Sequence, residues 1–160
     1  LGSVIGQGTV DHCNALIDDA LAKGAKLLCG GKADSTLMPA TVLDHVTPAM
    51  RIYHEETFGP VKCVVRVKGV EEAIACANDN EYGLSAAVFG GDIARAFNVA
   101  RKIDSGICHV NGPTVHDEAQ MPFGGVKGSG IGRFGGKAGI AEFTELRWIT
   151  LQTTPRHYPF

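Results

Sequence analysis

The sequence predicts an α/β fold with a largely parallel sheet and flanking helices. Short β-branched runs alternate with segments of helical apolar spacing along most of the chain. After residue 111 a long polar, glycine-rich stretch interrupts that alternation, and loops of such length inside a compact domain are usually functional.

The elements follow in order. From Thr9 to Lys23, Leu16, Ile17, Ala20 and Leu21 share one face of a helix that Gly24 can stop. A strand at Lys26–Cys29 leads into the Gly30-Gly31 turn, and Ala40–Val46 and Val61–Val67 read as β-branched strands. Val70, Ala73, Ile74 and Ala77 predict a second helix ending near Asn78. Ala86–Phe89 is a strand, and Asp92 can cap a third helix with Ile93, Phe97 and Ala100 on one face. Ile107–Asn111 is a strand again. A helix at Lys137–Phe143, a strand at Leu146–Gln152 and an extended tail with Pro155 and Pro159 close the chain. No internal repeat or dividing linker is visible.

Bulk composition excludes several classes. With 44% hydrophobic and 20% charged residues, the chain can bury a core. A net charge of −2 without a basic stripe speaks against nucleic acid. There is no apolar run of membrane-spanning length and no secretory leader pattern. Leu1 in place of Met suggests a truncated or processed chain. Cys13, Cys29, Cys63, Cys76 and Cys108 form no C-x-x-C pair and read as reduced, buried thiols of a cytoplasmic protein. Cys108 adjoins His109, but strand neighbours point to opposite faces, so a thiolate–imidazole pair is not expected there.

Three short patterns point to ligands. Gly130-Ile-Gly132-Arg-Phe-Gly135 spells G-x-G-x-x-G, yet no strand precedes it and no acid follows about 20 residues on, so it is not a dinucleotide fingerprint. His54-Glu55-Glu56 and His116-Asp117-Glu118 begin a deaminase-like H-x-E, but the cysteine half is absent. In Glu55-Glu56-Thr57-Phe58-Gly59-Pro60-Val61, by contrast, a carboxylate and a ring sit two residues apart before a strand. A carboxylate there can accept hydrogen bonds from both hydroxyls of a ribose, and the ring can pack on a heteroaromatic base. A surface acid and a core Phe is the alternative reading.

That segment resembles the E-E-x-F-G-P-V motif of the aldehyde dehydrogenase superfamily. Pro122-Phe123-Gly124-Gly125-Val126-Lys127-Gly128-Ser129-Gly130 resembles its P-F-G-G-x-K-x-S-G motif, and Asn80-Glu-Tyr82-Gly-Leu84-Ser85-Ala86 its N-x-x-x-Y-G-L-x-A segment. The resemblance implies that residues 1–144 are the C-terminal part of the catalytic domain, and that 145–160 are an oligomerisation strand and tail containing Trp148. It implies NAD or NADP as cofactor, with Glu56 on the nicotinamide-side ribose and Phe58 near the nicotinamide ring. It places Phe123 at the inner end of the substrate channel and Asn111 to Gln120 at its mouth. The stretch from His109 to Phe123 looks most like the vanillin, salicylaldehyde and benzaldehyde dehydrogenase branch. An aromatic aldehyde substrate follows, with His116 a candidate pocket residue; an exposed loop histidine is the other reading of His116.

In this family a nucleophilic Cys lies in a G-Q-x-C-type motif and a general-base Glu in an E-L-G-G-type motif, both upstream of E-E-x-F-G-P-V. Neither motif is in this sequence, so both residues are expected before Leu1, and the isolated chain is expected to be inactive. The runner-up reading is an inert remnant that acts as an interaction module through its terminal strand. Phe134 stands where the resemblance would place Glu after the final Gly-Arg, a departure that puts in doubt any role of that acid in ordering water or relaying protons.

Overall fold

Helix α1 (Gln7–Ala22) buries Val10, Cys13, Leu16, Ile17 and Ala20, the 3–4 residue repeat of a single apolar face. Gly24, at φ +100°, ends it: beyond this left-handed residue the Ala25 N–H reaches back to the Ala20 carbonyl, a Schellman-type closure. The computed structural model describes residues 1–159, and the chain divides into two compact units, Leu1–Cys76 and Ala77–Phe160. The division falls inside a helix that the sequence shows as continuous, and residues 145–159 belong with the second unit.

In the first unit, β1 (Lys26–Cys29), β2 (Thr41–Asp44) and β3 (Val61–Cys63) form one sheet in that order. β1 runs antiparallel to β2 with a bulge between Leu27 and Cys29, and β2 runs parallel to β3. The short helix α2 (Arg51–His54), not foreseen from the sequence, is capped across the unit, its first N–H donating to Asp19 of α1 at 2.8 Å. The face of α1 packs with Met38, Leu43, Val46, Met50, Ile52 and Val61 into one core. α3 (Val70–Asn78) follows, with Ile74 buried.

In the second unit, β4 (Tyr82–Gly83) pairs antiparallel with β7 (Val126–Lys127). β5 (Ser85–Val88) and β6 (Ile107–Val110) run parallel, joined through α4 (Ile93–Ala100). Asp92 caps α4 as expected, its carboxylate accepting from the Arg95 N–H at 3.0 Å. α5 (Gly136–Glu142) is the last helix. The α/β class holds, while the expected largely parallel sheet is three small sheets in which two strand pairs are parallel and two antiparallel.

Two expectations need correction. The strand predicted over Leu146–Gln152 does not form: these residues have no ladder partner among the described residues, and Leu146, Trp148, Ile149 and Leu151 are exposed. A β-strand is defined by the neighbour it bonds, and within one chain this segment meets none. The cysteines are all free, but only Cys13 is buried; Cys29 and Cys63 are exposed. No helix of the described residues is long and apolar enough to cross a membrane.

Asp44, at the end of β2, is buried and grips Arg66 through two bonds, Nε at 2.9 Å and Nη2 at 2.6 Å. Arg66 foremost, helped by the His45 N–H and opposed by burial, holds the Asp44 carboxyl at about 2 against an ordinary 3.8. Because the folded value is depressed, the stabilisation is complete above the unfolded value and is lost as pH falls through the folded one. Asp44→Asn should lower Tm at neutral pH and flatten the fall in stability between about pH 4 and pH 2. Thermal melts of both proteins across that range check this; an unchanged acid limb in the variant would assign the fall to other carboxylates.

Candidate functional site

In the first unit the turn from Glu55 to Pro60 leaves α2 and enters β3. Its inward residue is Thr57, buried, with its hydroxyl 3.1 Å from the Gly59 carbonyl and 3.3 Å from that of Val61. The Cys13 thiol of α1 donates to the Thr57 carbonyl at 3.3 Å. With Thr57 turned inward, Glu56 and Phe58 are both exposed, Phe58 to 75%. The reading of Phe58 as a core residue is therefore excluded. Phe58 has φ 47°, a left-handed conformation that costs a bulky residue on the order of 1–3 kcal/mol and is characteristic of ligand sites.

The two adjacent acids differ in availability. Glu55 is held by Arg51 through two short bonds, 2.7 and 2.8 Å, which lower its pKa. Glu56 offers only its backbone carbonyl to the protein, 3.0 Å from His12 Nε2, and its carboxylate is left open. An exposed, uncommitted carboxylate beside an exposed ring has the donor-accepting edge and apolar face that a nicotinamide riboside requires, so these residues fit that half of a dinucleotide.

In the second unit, Asn111 ends β6 in a left-handed conformation, φ 56°. Its amide is fully engaged: Oδ1 accepts from the Gly90 N–H at 2.8 Å and Nδ2 donates to the Gly90 carbonyl at 3.0 Å. The Ser85 hydroxyl, on β5, donates to the Thr114 carbonyl at 2.8 Å, so the loop after Asn111 is tied to the sheet at two points. His116 is exposed; its ring meets that of His109 edge to face at 5.5 Å, and its Nε2 lies 3.4 Å from Glu118. Phe123 is half-buried and exchanges both backbone bonds with Phe134, at 2.9 and 2.7 Å. The expected site residues thus fall into two groups, Glu56 with Phe58 in one unit and Asn111, His116 and Phe123 in the other, with Trp148 exposed on the tail.

Sequence reasoning passed over the residues that hold the second group in place. Arg133 donates to the carbonyls of Gly125 and Gly132 at 2.8 and 2.7 Å, while its N–H meets Glu142 of α5 at 3.2 Å. Ser129 Oγ accepts from the Gly83 N–H at 2.9 Å, and Lys127 Nζ donates to the carbonyls of Asn78 and Asn80 at 2.9 and 3.1 Å. The signal was present in the glycines, because backbone that closely approached needs long donors beside it to satisfy its carbonyls.

Three of the five thiols are poorly suited to nucleophilic attack. Desolvation raises the pKa of Cys13 and Cys108, and of Cys63 although that residue as a whole is exposed, and a hydrogen bond with Ser105 only partly offsets this at Cys108. Cys108 and His109 have different neighbours, Ser105 and His116, as strand alternation predicts.

Gly59 sets how close the first turn lies to α1. A Cβ at Gly59 would stand 2.6 Å from Cys13 Sγ. Gly59→Ala should cost about 1–3 kcal/mol in stability, and pairing it with Cys13→Ala should recover part of that loss. Denaturant melts of the three variants measure the coupling; strictly additive losses would show that the contact is not what limits the turn.

The sequence model of the aldehyde dehydrogenase family matches residues 1–149. The chain is 57% identical over 159 residues to a vanillin dehydrogenase of Pseudomonas sp. (strain HR199 / DSM 7063), covering 99% of this chain and 33% of that protein. It superposes with a TM-score of 0.91, at 52% identity, on a crystal structure of a salicylaldehyde dehydrogenase from Pseudomonas putida G7 complexed with salicylaldehyde, covering 100% of this chain and 33% of that one. A Mycobacterium tuberculosis aldehyde dehydrogenase complexed with NAD+ gives a TM-score of 0.82 at 33% identity, over 91% of this chain and 31% of that chain. The chain therefore spans about a third of the length of the relatives it matches.

Proposed function

Because the chain belongs to the aldehyde dehydrogenase family, we propose that it is the C-terminal third of an oxidoreductase that oxidises an aromatic aldehyde to the carboxylic acid with NAD or NADP. The observation that carries the reading is the contrast within one turn: Glu55 is committed to Arg51, while Glu56 and Phe58 are exposed and no other described residue engages the Glu56 carboxylate. The aromatic preference is supported by the vanillin and salicylaldehyde dehydrogenases among the relatives.

When bound, the nicotinamide supplies the hydride acceptor. The Glu56 carboxylate would accept hydrogen bonds from the ribose hydroxyls, and the Phe58 ring would pack near the nicotinamide. Phe123 borders the aldehyde end, its backbone fixed by Phe134, and Asn111 acts through Gly90 by setting where the loop begins. The nucleophilic thiol and the general base come from sequence outside these 160 residues; G-Q-x-C-type and E-L-G-G-type segments are absent here. Five free thiols support the cytoplasm as the site of reaction.

In the full enzyme, Glu56→Gln keeps the shape and removes the charge from the ribose bonds. Dinucleotide binding should weaken about 10- to 100-fold, with the aldehyde KM little changed. Calorimetric titration of NAD and of NADP into both proteins reads this directly, and equal affinities would remove Glu56 from the cofactor site.

The tail supports a second element of the reading. Leu146, Trp148, Ile149 and Leu151 are apolar, exposed and without a ladder partner among the described residues. Such a segment is suited to strand addition on another copy's sheet, and we assign residues 145–160 to homo-oligomer assembly. Deleting residues 146–160, or replacing Trp148 with Asp, should shift the enzyme to a smaller assembly in light scattering. An unchanged mass would show that the tail is dispensable for assembly.

A further inference from the structure

The turn that carries Glu56 and Phe58 is held from outside itself, by helix α1. His12 and Cys13, consecutive residues of that helix, donate to consecutive carbonyls of the turn: His12 Nε2 to Glu56 at 3.0 Å and the Cys13 thiol to Thr57 at 3.3 Å. A carbonyl only accepts, so Nε2 of His12 carries the proton in this contact. Both bonds span 44 residues of sequence and lie within the first unit. The turn precedes β3, so no strand ladder takes up these two carbonyls.

The two bonds differ in consequence. Thr57 is anchored several times over: it is buried, and its hydroxyl lies 3.1 and 3.3 Å from the carbonyls of Gly59 and Val61. Desolvation raises the pKa of the Cys13 thiol, which keeps it protonated and therefore a donor. Glu56 has fewer ties. It is exposed, its neighbour Glu55 is turned to Arg51, and its own carbonyl is met by His12. The peptide after Glu56 is planar, so its carbonyl direction sets how the Glu56 Cα–Cβ bond leaves the buried Thr57. A donor that fixes this carbonyl therefore fixes where the Glu56 carboxylate points.

Resting on the reading of Glu56 as the residue that holds the nicotinamide-side ribose, we propose that His12 is a positioning residue of the cofactor site, aiming the Glu56 carboxylate by holding its backbone carbonyl. A carboxylate already held in its binding direction loses less freedom when a ribose docks. The helix that supplies this constraint lies far from the turn in sequence, and His12 touches the cofactor site only through the backbone of Glu56.

Calorimetric titration of the full enzyme tests this, with NAD or NADP and with ADP, which lacks the nicotinamide-side ribose. His12→Met keeps the length of the side chain and removes the donor. Dinucleotide binding should weaken about three- to tenfold, with ADP binding unchanged. His12→Gln returns an N–H at similar reach and should restore most of the affinity. In a Glu56→Ala background no carboxylate remains to be aimed, so adding His12→Met should cost less than about twofold. Fully additive losses, an equal loss on ADP, no rescue by His12→Gln, or wild-type dinucleotide affinity in His12→Met would each overturn the positioning role. Wild-type affinity in Glu56→Ala alone would instead remove the ribose reading, so the two failures are read from different variants.

Discussion

The two turns that carry candidate site residues, one in each unit, each depend on side-chain volume being absent beneath them. Under Glu56 and Phe58 the missing volume is at Gly59, where any Cβ would run into Cys13. Under Phe123 it is at Gly106 and Gly124, where one glycine lies against the other's carbonyl, and at Gly125, where a Cβ would stand 2.5 Å from Ser129 Cβ. Backbone packed this closely cannot shift sideways to accommodate a ligand. The turns are therefore rigid supports, and what they present is fixed before any ligand arrives.

The same constraint explains why two separate motifs occur together. Lys127 and Ser129 of the glycine-rich segment do not project toward a ligand. They bond the carbonyls of Asn78 and Asn80 and the N–H of Gly83, while Gly128 donates to the Glu81 carbonyl. The segment around Tyr82-Gly83 and the segment around Lys127-Ser129 are thus two halves of one antiparallel join, β4 on β7. Arg133 closes the other side by satisfying carbonyls that the crowded glycines expose. Phe134 pairs with Phe123 through its backbone, and Glu142 brings a carboxylate to the Arg133 N–H from α5.

How much of this was legible in the sequence follows from how local each signal is. The face expected at Leu16, Ile17 and Ala20 and the cap at Asp92 are signals spaced about a turn apart, and both elements form within a few residues of the expected bounds, although Leu21, expected on the same face, is exposed. That Glu56 and Phe58 share one side of the turn, with Thr57 on the other, is a two-residue property that the sequence carries. The bond between Glu55 and Arg51, which distinguishes the two acids, depends on α2, a helix of four residues with too short a pattern to read. The left-handed backbone at Asn111 and its clasp on Gly90 join residues 21 apart in sequence, and no local pattern announces them. The strand over Leu146–Gln152 shows the converse failure: its composition suits a strand, but a strand also needs a neighbour.

The two units are stabilised differently, and this bears on what the chain is. The buried apolar side chains are concentrated in the first unit, around α1 and its sheet. Among the described residues of the second unit, Ala96 is the only one in the buried hydrophobic set. That unit is held by backbone packing and by long polar side chains on carbonyls, while Phe89, Ile93, Phe97 and the tail remain exposed. Burial of apolar surface is the dominant favourable term in folding, and hydrogen bonds contribute modestly in net. A unit so poor in burial keeps its shape best when its exposed rings and branched side chains are covered by further protein.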